Sequence, residues 1–404
     1  MHATMATTIF SNIELAPRDP ILGITEAFNA DANPRKVNLG VGVYYDDAGK
    51  LPVLECVRRA EKQLAENPAP RGYLPIDGIP GYVKAVQSLV LGADSSALRA
   101  ERVVGAQALG GTGALKIAAD FLQRFHAGAE VWISTPSWEN HRALFEGAGF
   151  KVQQYPYYDP ATREVDFAGM VNALEGLSSG AIVVLHACCH NPTGVDLKPE
   201  QWTRVIEIVK ARGLIPILDM AYQGFAEGLD ADGAAVRRCA EQCAPVFIAS
   251  SFSKSFSLYG ERAGALNIVT SSKDEAARVL SQLKRIIRTN YSNPPTHGGK
   301  IVATVLADAE LRSLWEKELG HMRERIKQMR VALVERVQQL APGKDMSFVL
   351  RQRGMFSYSG LSKDAVGRLR QEYAIYAVDS GRICVAALNA GNVEYVAKAV
   401  AAVS

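Results

Sequence analysis

Pro245-Val-Phe-Ile-Ala249, an unbroken apolar run, passes directly into Ser250-Ser-Phe-Ser-Lys254-Ser-Phe-Ser-Leu-Tyr-Gly-Glu-Arg262. The run is short and apolar throughout, as a strand buried on both faces of a sheet should be. The stretch after it reads as a loop that carries chemistry. One lysine sits among hydroxyls, with an arginine eight residues further on. A solvated surface lysine has no need of Ser251 and Ser253 before it. A lysine that bonds covalently to a phosphorylated aldehyde does, because the phosphate takes hydroxyl donors and a guanidinium clamp. Taken alone, the pattern also fits a polar loop with a surface lysine.

Working outward, the middle of the chain repeats this strand-then-loop pattern. Strands are expected at Glu130–Ser134, Ala181–His186, Leu214–Asp219, Val246–Ser250 and Ala263–Val269, with helices such as Ala114–Phe125, Pro199–Arg212 and Glu275–Arg288 between them. Such alternation predicts an α/β fold with a mainly parallel central sheet between helices. Asn191, Asp219 with Tyr222, and Lys254 fall just past strand ends. In an open α/β sheet the ligand crevice lies there, so these residues converge.

From Leu311 onward, Trp315, Leu319, Met322, Ile326, Met329, Leu333, Val337 and Leu340 recur every three to four residues, one long amphipathic helix stopped at Pro342-Gly343. The rest reads as a smaller α+β unit. Strands are expected at Phe348–Arg351 and Met355–Ser359, helices at Ser362–Tyr373 and Val393–Ala402, and a strand pair near Ile375–Val378 and Arg382–Ala386. The expected organisation is an N-terminal arm (1–15), a small domain (16–50 with 322–404) and a large cofactor-binding domain (51–321).

The 404 residues are 48% hydrophobic and 22% charged, ordinary for a chain with a large core. A net charge of +3 from scattered basic residues makes no case for nucleic acid or an anionic membrane. No apolar run reaches the ~18 residues of a membrane span. The opening MHATMATTIF lacks a basic region followed by an apolar core, so no secretory leader is expected and the cytoplasm is. Six cysteines fit reduced thiols. His186-Ala-Cys188-Cys189-His190 superficially invites a metal. Adjacent side chains at the end of a strand point to opposite faces and do not easily share one tetrahedral ion, so no metal is expected.

Gly110-Gly111-Thr112-Gly113 precedes a helix, and its free N–H groups and partial positive charge suit an anion. It matches neither nucleotide-binding glycine pattern. With Ser251, Ser253 and Arg262 it would complete a phosphate cup. Asp219 follows a buried run, where a carboxylate needs a partner. A protonated pyridine nitrogen is one such partner, which points to pyridoxal 5′-phosphate held by Lys254. Tyr222 and Asn191 could hydrogen-bond that cofactor's phenolate, and Trp138 could stack on its ring.

The chain resembles fold-type I aminotransferases of the aspartate and aromatic branch over nearly its whole length. The matching strings run in order: Asn38-Leu-Gly-Val-Gly42, Tyr73-Leu-Pro-Ile-Asp-Gly78, GGTGAL from Gly110, PSWENH from Pro136, CCHNPTG from Cys188, LDMAYQGF from Leu218, SFSKSFSLYGER from Ser251, RTNYSNPP from Arg288, GMFSYSGL from Gly354 and GRICVAALN from Gly381. The resemblance implies that Lys254 holds the cofactor and carries the proton from substrate Cα, that Asp219 is supported by His141, and that Gly111, Thr112, Ser251, Ser253 and Arg262 hold the phosphate. It implies Tyr73 and Arg288 reaching in from the second subunit of a homodimer, the latter toward a distal carboxylate. Arg382, with Asn191 beside it, would take the substrate α-carboxylate, and Gly42 and Trp138 would border the substrate.

Tyr73-Leu-Pro-Ile-Asp, Tyr44-Tyr45 and the string after Arg382 resemble bacterial aromatic-amino-acid aminotransferases, whereas Thr112 and Asn293 also occur in aspartate-type members. The expected reaction moves the amino group of tyrosine or phenylalanine, and of dicarboxylic amino acids, to 2-oxoglutarate. Aspartate aminotransferase is the alternative. A lyase on the same cofactor rarely needs both Arg288 and Arg382, and a non-catalytic regulator would need a DNA-binding unit for which no spare ~60 residues exist.

Overall fold

The computed structural model describes residues 8–16 and 22–404. Seven strands build the main sheet: β1 (Val103–Leu109), β2 (Glu130–Thr135), β3 (Lys151–Pro156), β4 (Ile182–His186), β5 (Ile215–Met220), β6 (Val246–Ser251) and β7 (Ala263–Val269). They lie in the order β1-β7-β6-β5-β4-β2-β3. Only β7 runs antiparallel to its neighbours, so the mixed α/β fold has the mainly parallel sheet that the alternation predicts. The helices that matter for the site are α1 (Gly110–Phe125), α2 (Glu139–Gly147), α3 (Pro199–Arg212), α4 (Leu229–Gln242), α5 (Lys273–Asn290) and α6 (Ala309–Leu340).

The sheet divides the apolar interior in two, and β4 shows how. Ile182 and Val184 face one cluster with Leu115 and Ile117 of α1, while Val183 and Leu185 face the other with Val205 and Ile208 of α3. Successive strand side chains point to opposite faces, so a strand covered on both sides must be apolar at every position. Each such side chain contributes about 1.5–3 kcal/mol by leaving water.

Two strands escape the sequence pattern. In β1, Gly105 and Gln107 interrupt the apolar run, yet Gln107 is fully buried because its amide is satisfied: Nε2 donates to the Pro295 carbonyl at 2.8 Å and Oε1 accepts from the Ile79 N–H at 3.2 Å. β3 is the sheet edge and buries only every third residue, Val152 and Tyr155, with its other side chains at least partly in solvent. Asp219 lies inside β5, opposite His186 in register, rather than past the strand end.

Helix α6 runs 32 residues, with Asp308 accepting from the Glu310 and Leu311 N–H groups at its start. Its stripe buries Leu311, Trp315, Leu319, Met322, Ile326, Leu333 and Val337, whereas Met329 is partly buried and Leu340 faces solvent. Trp315 stacks on Phe256 at 4.6 Å and donates Nε1–H to the Ser255 carbonyl at 2.7 Å, which braces the loop that carries Lys254.

After α6 the structure corrects two expectations. Ser347–Arg351 is a 3-10 turn, not a strand. Phe348 and Val349, adjacent in the chain, are both buried while Ser347, Leu350 and Arg351 are exposed, so burial does not alternate as a strand's would. The segments near Ile375 and Arg382 do not form a ladder with each other. Ile375–Tyr376 pairs in parallel with Val37–Asn38, and Arg382–Cys384 pairs antiparallel with Phe356–Tyr358. The tight turn at Gly381 (φ +82°) leaves them one backbone bond, from the Val378 N–H to the Arg382 carbonyl at 3.3 Å. Residues 8–16 are exposed; the rest of the expected arm and residues 17–21 lie outside the described residues. Among the described residues no helix is long and apolar enough to cross a membrane.

Candidate active site

The carboxyl ends of β4, β5 and β6 and the start of α1 meet at a cavity of about 280 Å³. It gathers Gly42, Gly111, Thr112, Trp138, Asn191, Asp219, Tyr222, Ser251, Ser253, Lys254, Arg262 and Arg382. These residues are distant in sequence and adjacent only because parallel strands end on one edge.

Helix α1 begins with no gap after β1, so Gly110 must turn the chain in the left-handed region, at φ +68°. Only glycine also leaves room there, since a Cβ would lie 2.4 Å from Arg262 Nη2. Arg262 Nη1 donates to Ser253 Oγ at 3.3 Å and to the Tyr259 carbonyl at 2.9 Å. One wall of the cup is therefore guanidinium and hydroxyl, and the other is the N–H face of a helix start.

Asp219 is 5% exposed. Its Oδ2 accepts from His141 Nε2 at 2.9 Å, and His141 Nδ1 meets Ser137 Oγ at 2.9 Å, which fixes a ring that is itself fully buried. Burial pushes the Asp219 carboxyl up, but the hydrogen bond from His141 and the positive charge of Lys254 nearby help to outweigh it, and the group is held below the usual range. Asp219 therefore stays ionised with one oxygen committed.

Lys254 Nζ is enclosed, 4.9 Å from the centre of the Tyr222 ring. Burial lowers its pKa to about 8, against an upward pull from Asp219 and a further lowering by Arg262. An amine that is neutral in good part near pH 8 is a nucleophile; an ordinary lysine is not. In the cofactor-free protein, Lys254 is expected to acylate with an apparent pKa of about 8, against ~10.4 for an unperturbed lysine. Competitive acetylation across pH, read peptide by peptide, checks this. A midpoint above pH ~10 for Lys254 would contradict the burial argument.

Arg382 is 2% exposed. Nη1 donates to Asn191 Oδ1 at 3.1 Å and Nη2 to the Gly40 carbonyl at 2.7 Å, and the guanidinium lies over Phe356 at 4.3 Å. Among the described residues its buried Nε has no hydrogen-bond partner. A buried N–H left open beside the cavity is a donor awaiting an acceptor. Gly42 faces the same ring so closely that a Cβ would lie 2.5 Å from Phe356 Cζ. Burial keeps the Tyr222 hydroxyl protonated by raising its pKa well above the ordinary value.

Three expected site residues do not line this cavity. His141 sits behind Asp219. Tyr73 is 95% exposed. Arg288 is exposed near the end of α5, with Nη1 on the Ser292 hydroxyl. Six further lining residues are not among the site residues expected from the sequence: Val41, Val43, His186, Ala221, Tyr259 and Phe356. The Tyr259 hydroxyl accepts the Tyr44 N–H at 3.0 Å, tying the lysine loop to the segment around Gly42. His186 was legible as a strand-end histidine, but its place could not be read. It lies with His141 and Asp219 in a group whose ligand atoms are within 4.8 Å of one another, and among the described residues neither of its ring nitrogens has a hydrogen-bond partner. Of the two neighbouring cysteines, Cys188 Sγ meets Met220 Sδ at 3.7 Å and Cys189 Sγ meets the Tyr222 carbonyl at 3.9 Å.

A buried, near-neutral amine opposite a histidine-backed carboxylate, ringed by Arg262 and Arg382, defines an α/β enzyme equipped for amine chemistry on anionic ligands. The chain belongs to the aminotransferase class I and II family, whose model matches residues 34–400, and it is an aminotransferase. It is 60% identical to an aspartate aminotransferase of Pseudomonas aeruginosa, over 97% of this chain and 99% of that one. It is 48% identical to an aromatic-amino-acid aminotransferase of Escherichia coli, over 98% and 100%. Among solved structures, an aromatic-amino-acid aminotransferase of Burkholderia pseudomallei, covalently bound to pyridoxal phosphate, is 65% identical with a TM-score of 0.96, covering 98% of this chain and all of that one.

Proposed function

We propose that this protein is an aromatic-amino-acid transaminase that moves the amino group of tyrosine or phenylalanine, and of dicarboxylic amino acids, to 2-oxoglutarate. The cofactor is pyridoxal 5′-phosphate, and the cavity fits it on three observations. Gly110 keeps open a cradle against Arg262 that a Cβ would fill. Among the described residues the second oxygen of Asp219 accepts no hydrogen bond, and Lys254 presents a buried amine. When bound, the cofactor supplies an aldehyde for the migrating amino group and a ring that draws electron density from substrate Cα.

The chain's own groups do the rest. The α1 N–H groups with Thr112, Ser251, Ser253 and Arg262 bind the phosphate dianion. Asp219, kept ionised by His141, holds a proton on the ring nitrogen. Tyr222 and Asn191 donate to the ring oxygen, and Trp138 packs on the ring face. Arg382 takes the α-carboxylate, with Asn191 fixing the plane of its guanidinium. Lys254 Nζ then removes the Cα proton as a general base. Tyr73 and Arg288, both exposed and outside their own cavity, reach the cavity of the second subunit in a cytoplasmic homodimer of chains with a 1–15 arm, a small domain (16–50, 322–404) and a large domain (51–321).

The observation that carries the aromatic reading is the cavity wall. Val41, Val43, Trp138 and Phe356 face the substrate space, and among the described lining residues the only guanidinium groups are Arg262 and Arg382. A substrate ring can pack on these apolar and aromatic side chains. The aspartate reading rests on the Pseudomonas relative and on Arg288 as the partner of a distal carboxylate. Arg288→Leu separates the two. Breaking one buried charge pair costs about 3–5 kcal/mol, so kcat/KM for aspartate should fall roughly 10²–10⁴-fold and that for phenylalanine by less than about tenfold. Steady-state rates with 2-oxoglutarate decide it. A parent enzyme that turns over aspartate and not phenylalanine would overturn the aromatic assignment.

A further inference from the structure

A second, larger cleft of about 570 Å³ opens on the opposite side of the loop that carries Asn191, and it shares no lining residue with the catalytic cavity. Its walls come from the segment after β4, from α3 and α4, and from the 3-10 turn at Ser347–Arg351 with the residues after it. Trp202, Ala235 and Phe348 supply apolar surface. Nine ionisable side chains face it: Glu164, Asp196, Glu227 and Asp232 against Arg163, Lys198, Arg238, Arg351 and Arg353.

The four acids are already engaged. Asp196 accepts from the Cys189 and His190 N–H groups at 2.7 and 2.8 Å. Asp232 accepts from the N–H groups of Gly224, Ala226, Glu227 and Gly228. Glu164 pairs with Arg351 at 2.8 Å and Glu227 with Arg353 at 2.5 Å. The cations are not all matched. Among the described residues, Arg163, Lys198 and Arg238 have no carboxylate partner. Arg163 lies over the Phe348 ring at 3.9 Å, and Arg238 rests on the Pro199 carbonyl at 3.3 Å and on the Thr203 hydroxyl. Arg238 and Trp202 line the same cleft, so positive charge and an indole face one space.

We propose that this cleft binds a small aromatic carboxylate, its ring against Trp202 and Phe348 and its carboxylate on Arg238 and Lys198. A carboxylate entering here meets uncompensated cations, because the resident acids are bound to backbone N–H groups or to other arginines. The cleft also touches the catalytic machinery from behind. Asp196 holds the backbone at Cys189 and His190, and the Arg353 N–H donates to the Gly194 carbonyl at 2.6 Å. Asn191 hangs from this same loop and meets Arg382. An occupant therefore bears on the α-carboxylate clamp and slows turnover without competing for the cavity. The proposal stands apart from the substrate assignment.

The test uses the cofactor-loaded full chain and 2-naphthoate, which has neither an amino nor an oxo group and cannot be transaminated. Binding is followed by calorimetry and by quenching of indole fluorescence, with Trp202→Phe to assign the signal. Arg382→Leu removes carboxylate recognition in the catalytic cavity; Arg238→Gln and Arg238→Glu remove it in the cleft. The expected result is binding retained in Arg382→Leu and weakened about tenfold or more in both Arg238 variants, whose transamination kcat/KM stays within about twofold of the parent. Melting temperatures equal to the parent's show that the Arg238 variants are folded. Binding that is lost in Arg382→Leu and kept in the Arg238 variants overturns the proposal, as does absence of saturable binding. Equal affinity for uncharged 2-naphthamide overturns the carboxylate recognition.

Discussion

Lys254→Ala is expected to abolish transamination while the cofactor still binds. The lysine is both nucleophile and base, and acid–base work alone accounts for about 10²–10⁴ in rate. Its removal leaves the cup of Ser251, Ser253 and Arg262 intact, and Asp219 stays anchored to His141 at 2.9 Å. The cofactor should therefore survive gel filtration, as read from its absorbance, and yet be removed by denaturation alone, with no covalent adduct in the mass spectrum. Parent-like turnover in this variant, measured without added amines, would sink the assignment of Lys254. Loss of cofactor together with loss of activity would instead point to a collapsed cup.

Arg382→Leu is expected to depress every substrate alike, because every one carries an α-carboxylate. Removing one partner of a buried charge pair costs about 3–5 kcal/mol, or roughly 10²–10⁴ in kcat/KM. The substitution also strands the Gly40 carbonyl and the Asn191 amide, whose partners at 2.7 and 3.1 Å disappear. A melting curve must accompany the kinetics so that an unfolded fraction is not read as lost recognition. Arg288→Leu provides the contrast, since it should separate aspartate from phenylalanine. Equal losses for the two substrates in Arg288→Leu, matching those in Arg382→Leu, would rule out a division of labour between the arginines.

The legible features of the chain are those written locally. Five of the seven main strands follow from runs such as Ala181–Leu185 and Val246–Ala249, because full burial on both faces forces an unbroken apolar string. The long helix follows from its three-to-four spacing. The loop from Ser250 to Arg262 declares its chemistry because hydroxyls, lysine and arginine lie within one turn of chain. The strands at Val103–Leu109 and Lys151–Pro156 stayed hidden, the first because hydrogen bonds made a buried Gln107 tolerable and the second because an edge strand need not be apolar throughout.

Tertiary structure alone decided what those pieces do to one another. His141 lies 78 residues before Asp219 and Asn191 lies 191 before Arg382, and hydrogen bonds join each pair. Nothing in the local string around either member states that distance; only the family resemblance implies the two pairings. The position of His186, the pairing of Ile375–Tyr376 with Val37–Asn38 rather than with the strand after it, and the second cleft behind the Asn191 loop have the same origin. Periodicity reports which face of an element is buried. Which neighbour buries it is fixed by sheet order and packing, and the ionisation of Asp219 and Lys254 follows only once those neighbours are in place.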